Sequence, residues 1–117
     1  MTSIDVAELL RAHAFTCGNE AELQQAIGAV LTGAGIEHRR EVRLTERDRI
    51  DFLVGGVGLE VKVDGSLSAV TRQLHRYAQR PEVGSLLLVT TRPQHRAAPR
   101  ELCGKPVRVV LVHGGLL

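Results

Sequence analysis

The chain has 117 residues, enough for one modest core, and its 44 % apolar and 24 % charged content excludes disordered and collagen-like classes. Aromatics supply only 3 %, so Leu, Val, Ile and Ala must build that core. A formal net charge of +2 is too small to argue for nucleic acid by itself, and no apolar run approaches membrane-spanning length.

Met1 to Arg11 contains acidic residues and lacks the basic-then-apolar layout of a signal peptide. Cys17 and Cys103 have no zinc-ligand spacing and are expected to be small buried hydrophobes in a reducing cytoplasm. The expected organisation is a single domain over residues 1–117. Its core spans 19–91, with an N-terminal helix over 4–14 and a C-terminal strand over 107–112.

In chain order, Ile4 to Ala14 reads as a short helix with Val6, Leu9 and Leu10 on its apolar side. Asn19 can cap a second helix, and Glu22 three residues on completes a capping-box pattern. That helix carries Leu23, Ala26, Ile27, Val30 and Leu31 on one stripe and stops near Gly33 and Gly35. Ile36 to Leu44 is a half-exposed strand, and Thr45 to Asp48 a polar turn. Arg49 to Val54 and Val57 to Val63 are two strands around Gly55-Gly56, a pair suited to a tight hairpin. Asp64, Gly65 and Ser66 open a helix running to about Arg80, before Pro81. Ser85 to Thr91 is the nearly continuous apolar run of a central strand. Arg92 to Pro99 is a loop leading to a helical turn at Arg100 to Cys103, and Val107 to Val112 is a last strand. The fold class is α/β: a sandwich with a mixed sheet flanked by helices.

The hairpin carries the chemistry. With a two-residue loop, facing residues have numbers that sum to 111. Ile50 then faces Val61, Phe52 faces Leu59 and Val54 faces Val57, an apolar face. The other face sets Asp51 opposite Glu60 and Arg49 opposite Lys62. Like charges directly opposed on a sheet, with Cβ atoms about 4.5–5.5 Å apart, are destabilising. A divalent cation between the two carboxylates relieves this, and Mg²⁺ suits such oxygen ligands. Lys62, two residues beyond Glu60, projects from the same face and could orient a water or neutralise a phosphate.

Around the hairpin, Glu20 falls on the inward stripe of its helix, as a site carboxylate or as a first-turn acid favoured by the helix dipole. Leu67, Val70, Leu74 and Ala78 form the buried stripe of the next helix. Gln73 and Tyr77 lie along its edge with Arg76 and Arg80, either to grip a sugar-phosphate backbone or as a solvated edge. Arg39, Arg40, Arg43, Arg47 and Arg49 crowd into eleven positions, and Glu41 among them is expected to form a surface ion pair. The five histidines show no metal-ligand spacing and receive no role.

These residues resemble the PD-(D/E)XK nuclease superfamily, which holds many restriction endonucleases and Holliday-junction resolvases. The likeness rests on Arg49-Ile50-Asp51-Phe52 followed by Leu59-Glu60-Val61-Lys62, and on the order helix, three strands, helix, strand over residues 19–91. Gln73-Leu74-His75-Arg76-Tyr77 is similar to the Gln-x-x-x-Tyr element of the recombination-exonuclease branch. The resemblance implies a restriction endonuclease-like αβββαβ sandwich and Mg²⁺-dependent hydrolysis of DNA, with Mn²⁺ as a substitute, leaving 5′-phosphate and 3′-hydroxyl ends. It implies metal binding by Asp51, Glu60 and the carbonyl of Val61, with Lys62 serving the attacking water. Glu20 would be the first-helix acid, and Gln73 and Tyr77, with Arg76 and Arg49 beside them, would contact substrate. The expected setting is cytoplasmic, bacterial or phage-encoded, away from membranes. The protein would act on branched or repair-type DNA as a homodimer or within a larger complex. The competing expectation is a non-catalytic nucleic-acid-binding or assembly module that keeps the fold.

Overall fold

A computed structural model describes residues 1–16 and 18–113. The expectation for Cys17 therefore lies outside the described residues. Three helices, α1 (Ser3–Arg11), α2 (Glu20–Gly33) and α3 (Leu67–Ala78), cover a six-stranded mixed sheet. Its strands are β1 (Arg39–Arg43), β2 (Arg49–Val54), β3 (Val57–Lys62), β4 (Ser85–Thr90), β5 (Glu101–Leu102) and β6 (Lys105–Leu111). The spatial order is β1-β2-β3-β4-β6-β5. β2 runs antiparallel to both of its neighbours, β1 and β3; β3, β4 and β6 are parallel, and β5 is antiparallel to β6. Among the described residues no helix is long and apolar enough to cross a membrane.

Local signals account for the starts of the three α-helices. Asn19 caps α2 by accepting the Glu22 amide at 2.9 Å, and the Glu22 carboxylate reaches back to the Gly18 amide at 3.0 Å. Ser66 caps α3 through the Ala69 amide at 3.1 Å. α1 begins at a capping box formed by Thr2 and Asp5.

The core has two halves. On one side of the sheet, α1 (Val6, Ala7, Leu10) and α2 (Leu23, Ile27, Leu31) pack on Phe52, Val54, Val57, Leu59, Val61, Leu87 and Val89. On the other, α3 (Val70, Leu74, Tyr77, Ala78) packs on Ile50, Leu53, Leu86 and Leu88. Each fully buried Leu, Ile or Val contributes about 1.5–3 kcal/mol of transfer free energy, so β4, covered on both faces, anchors the sandwich.

Three expectations are corrected. Ile50 and Phe52 were expected on one apolar face, yet they sit in opposite halves of the core. β1 does the same: Val42 packs on the α3 side, while Arg40 lies over the Phe52 ring, 5.1 Å from its centre on the α2 side. Between them Glu41 takes φ 52°, a left-handed conformation that a glutamate enters only at some cost. Both strands thus turn over at the level of Glu41 and Asp51. Second, the helical turn expected at Arg100 to Cys103 comes earlier, as a 3₁₀ helix over Pro93–Ala97. Residues 101–102 instead form β5, joined to β6 through Cys103 (φ 53°) and Gly104 (φ 74°). Positive φ at both central positions is what a type I′ hairpin turn demands, and it leaves Cys103 exposed rather than buried. Third, Tyr77, expected at a helix edge, is completely buried.

Candidate active site

β2 and β3 pair in the expected register, Val54 with Val57, Leu53 with Gly58 and Phe52 with Leu59. There the ladder ends. Beyond it the Val61 amide donates to Asp51 Oδ2 at 2.8 Å, and the Asp51 amide donates weakly to Glu60 Oε1 at 3.4 Å. A carboxylate has taken the place of a backbone acceptor, so Arg49 does not become the ladder partner of Lys62 as expected. It pairs with Arg43 of β1 instead.

This opening has a packing cause. The side chain of Ile50 crosses to the α3 side and fills the space above Gly58. A β-carbon on Gly58 would stand 2.6 Å from Ile50 Cδ1 and 3.3 Å from Leu86 Cδ2. Glycine at this position admits Ile50, and the crossing of Ile50 turns β2 over at Asp51.

Glu60 and Lys62 alternate with Leu59 and Val61 on β3 and face the α3 side. The Lys62 ammonium lies 3.3 Å from Glu60 Oε2, and the Glu60 side chain is only 4 % exposed. The site therefore sits at the carboxyl end of a parallel strand, the usual place for sites in open α/β sheets. Val61 presents its amide to Asp51, and in an extended strand a residue's carbonyl faces the same neighbour as its amide. The Lys62 carbonyl points the other way, accepting the Thr91 amide at 3.1 Å. The Val61 carbonyl is thus directed toward the gap between β2 and β3.

Electrostatics follow from burial. The Glu60 carboxyl is pushed up to about 8, first by loss of water and then by the Asp51 charge, against the pull of Lys62. Asp51 is also raised by burial; the Val61 amide opposes this, while the charge of Glu20 adds to it. Glu20, half-buried at the first position of α2, reaches the pair through its field rather than through a hydrogen bond. Among the described residues no group of three or more His, Cys, Asp or Glu side chains converges as a metal cage.

The helix residues act as braces. Tyr77 donates its hydroxyl proton to the Arg49 carbonyl at 3.1 Å and accepts from Gln73 Nε2 at 2.8 Å. Burial, then the charges of Glu60 and Asp51, raise its hydroxyl well above the usual tyrosine range, so it stays a neutral donor. Arg76 Nε is held at 2.9 Å by Asp48 Oδ1, on a residue that is itself buried. The Arg49 side chain is exposed.

One supporting residue had no signal in the sequence. His95 is completely buried, and its ring nitrogens lie 2.7 Å from Thr90 Oγ1 and 2.8 Å from the Gly65 carbonyl. A carbonyl can only accept, so Nε2 carries a proton. His95 thereby pins the loop after Lys62 to the end of β4, where Thr90 pairs with Lys62. Its partners lie 5 and 30 residues away, beyond the reach of local pattern.

No family model, curated protein or solved structure matches this chain.

Proposed function

We propose that the protein is a Mg²⁺-dependent phosphodiesterase acting on DNA, built on the restriction endonuclease-like αβββαβ plan of the PD-(D/E)XK superfamily. The observation that carries this reading is the opening between β2 and β3, where two water-poor carboxylates, Asp51 and Glu60, share one lysine. A buried carboxylate beside a half-buried one, with a lysine held against only the first, is a poor structural device, because removing charge from water costs several kcal/mol per ion unless it is fully compensated.

The donor set fits the ion. Asp51, Glu60 and the Val61 carbonyl are all oxygen ligands, and Mg²⁺ commonly takes one or two carboxylates and keeps waters for its other positions. When bound, it would supply Lewis-acid stabilisation of phosphate charge and a more acidic water. The protein's own groups would do the rest. Lys62 would orient the attacking water and offset charge developing on the phosphate, its side chain being 21 % exposed and able to swing off Glu60. Glu20 would add negative potential that draws the cation in. Gln73 and Tyr77 would hold the Arg49 backbone, and so the strand that carries Asp51, while exposed Arg49 and neighbouring Arg76 contact the sugar-phosphate chain. So small a domain covers little DNA, so a homodimer or a larger complex would complete the grip. Branched and repair-type DNA are the substrates to try first.

The closure of Glu60 under Lys62 favours a second reading, a non-catalytic nucleic-acid or assembly module that keeps the fold. Incubation of purified protein with Mg²⁺ or Mn²⁺ and linear, nicked, single-stranded and branched DNA separates the two. Cleavage that disappears in Asp51→Asn and Lys62→Ala supports the enzyme. Failure to cut any of these substrates supports the module, and cleavage that survives both substitutions points to a contaminant.

A further inference from the structure

A second charged feature lies two strands from Glu60. Arg11 at the end of α1, Arg96 in the 3₁₀ helix, Arg100 before β5 and Arg108 on β6 line one cavity of about 380 Å³, floored by Pro106, Val107 and Val109. No acidic residue lines it. Four positive charges are gathered here although the whole chain is only +2, so the remainder of the chain is net negative.

The arginines are not occupied by the protein. Among the described residues none of the four joins an ion pair, and the only hydrogen bond from their side chains is Arg11 Nη2 to the Val109 carbonyl at 3.1 Å. All four residues are exposed. That bond matters twice: it fixes Arg11 at the cavity wall, and it covers a carbonyl of β6 beside the short strand β5. Elsewhere the chain does pair its arginines, as Arg76 with Asp48 shows. Like charges gathered without a counter-ion repel, and a guanidinium's planar fork matches phosphate oxygens two at a time.

We propose that this cavity is a phosphate-binding site, separate from the carboxylate pair and on the opposite face of the sheet, that takes backbone phosphates of a nucleic acid. The nucleic-acid source rests on the nuclease reading; the phosphate chemistry does not. Only Arg108 stands on the sheet itself, in register with Leu87 of β4 and, through it, with Leu59, so its side chain leaves the sheet on the α1 side, opposite to Glu60. Strands lie about 4.8 Å apart, so the backbones of β3 and β6 are separated by roughly 10 Å, and the sheet stands between the arginines and the Glu60 carboxylate.

The test uses the full chain and the triple substitution Arg96→Gln, Arg100→Gln, Arg108→Gln, leaving Arg11 to its backbone bond. Binding of a fluorescent duplex is followed against salt in Ca²⁺, and inorganic phosphate is titrated in parallel by thermal shift. The proposal expects the triple variant to bind duplex at least about tenfold more weakly, with a salt slope shallower by about 0.9 for each phosphate lost. Its melting temperature should be no lower than that of the wild type, and its Mn²⁺ affinity unchanged. Arg108→Lys, which keeps charge but loses the fork, should fall between. If wild type ignores duplex yet gains stability from phosphate, and the triple variant does not, the phosphate site stands and its duplex source fails. Duplex and phosphate responses that are both unchanged in the triple variant, or absent in the wild type, overturn the proposal.

Discussion

The Val61 amide donates to the Asp51 carboxylate at 2.8 Å at the level where the β2–β3 ladder has ended. One side chain therefore does two things: it satisfies a buried backbone donor, and it holds a negative charge beside Glu60. These two roles respond differently to substitution.

Asp51→Asn keeps an oxygen for the Val61 amide and removes a charge held out of water, so it should fold at least as stably as the wild type at neutral pH. Asp51→Ala leaves the amide of a fully buried residue without an acceptor and should cost about 1–3 kcal/mol. Both should lose metal-dependent cleavage by about 100-fold or more, the order lost when one electrostatic group of a site is removed. Urea denaturation beside a cleavage assay separates the effects. Equal stability losses in the two variants would show that the hydrogen bond is not what the Asp51 side chain contributes.

Glu60 sets a pH dependence. Its ordinary value of 4.5 is raised to about 8 in the folded state. Between those values the folded protein holds a proton that the unfolded chain has released, so stability falls as pH rises through this window. The full cost, on the order of 3–5 kcal/mol, is present above pH 8. Glu60→Gln should be nearly as stable as wild type at pH 4.5, more stable at pH 8, and flatter in between. Urea midpoints at three pH values check this; a wild-type slope retained in Glu60→Gln would refute it.

Lys62 competes with any cation for Glu60, from 3.3 Å away. Lys62→Met should therefore bind Mn²⁺ at least as tightly as wild type while losing cleavage by about 100-fold. Weaker Mn²⁺ binding in this variant would mean that Lys62 supports the metal site instead of competing with it.

Gly58 and Ile50 should be coupled. Gly58→Ala puts a methyl 2.6 Å from Ile50 Cδ1 and should cost about 1–3 kcal/mol through overpacking. Ile50→Val removes that methyl, so the double variant should lose less than the two single losses added together, by about 0.5 kcal/mol or more. Strict additivity in a denaturation cycle would remove Ile50 as the reason for glycine at 58.

Much of this was legible before the structure, where the signal was local. Asn19 with Glu22, Ser66 before α3 and the Gly55-Gly56 turn each announce an element end within four residues. The apolar pattern of the hairpin then fixes the Phe52–Leu59 register. Features that rest on distant neighbours were not legible. Strict alternation puts Ile50 beside Phe52, and only the glycine across the hairpin at 58 lets Ile50 cross to the α3 side. Tyr77 reads as an edge residue because its hydroxyl is polar, but the Arg49 carbonyl and Gln73 satisfy that group inside the protein. The turn at Cys103-Gly104 lacks the Asn or Asp that usually marks positive φ at its first position, so β5 was hidden.

The carboxylate pair is the centre of the proposal, and calorimetric titration with Mn²⁺ reaches it most directly. Wild-type protein at pH 7.5 should bind one ion per chain with release of a proton from the Asp51–Glu60 pair. Asp51→Asn and Glu60→Gln should each lose most of that affinity. An absence of binding by folded wild-type protein, or binding left unchanged by both substitutions, would contradict the metal site.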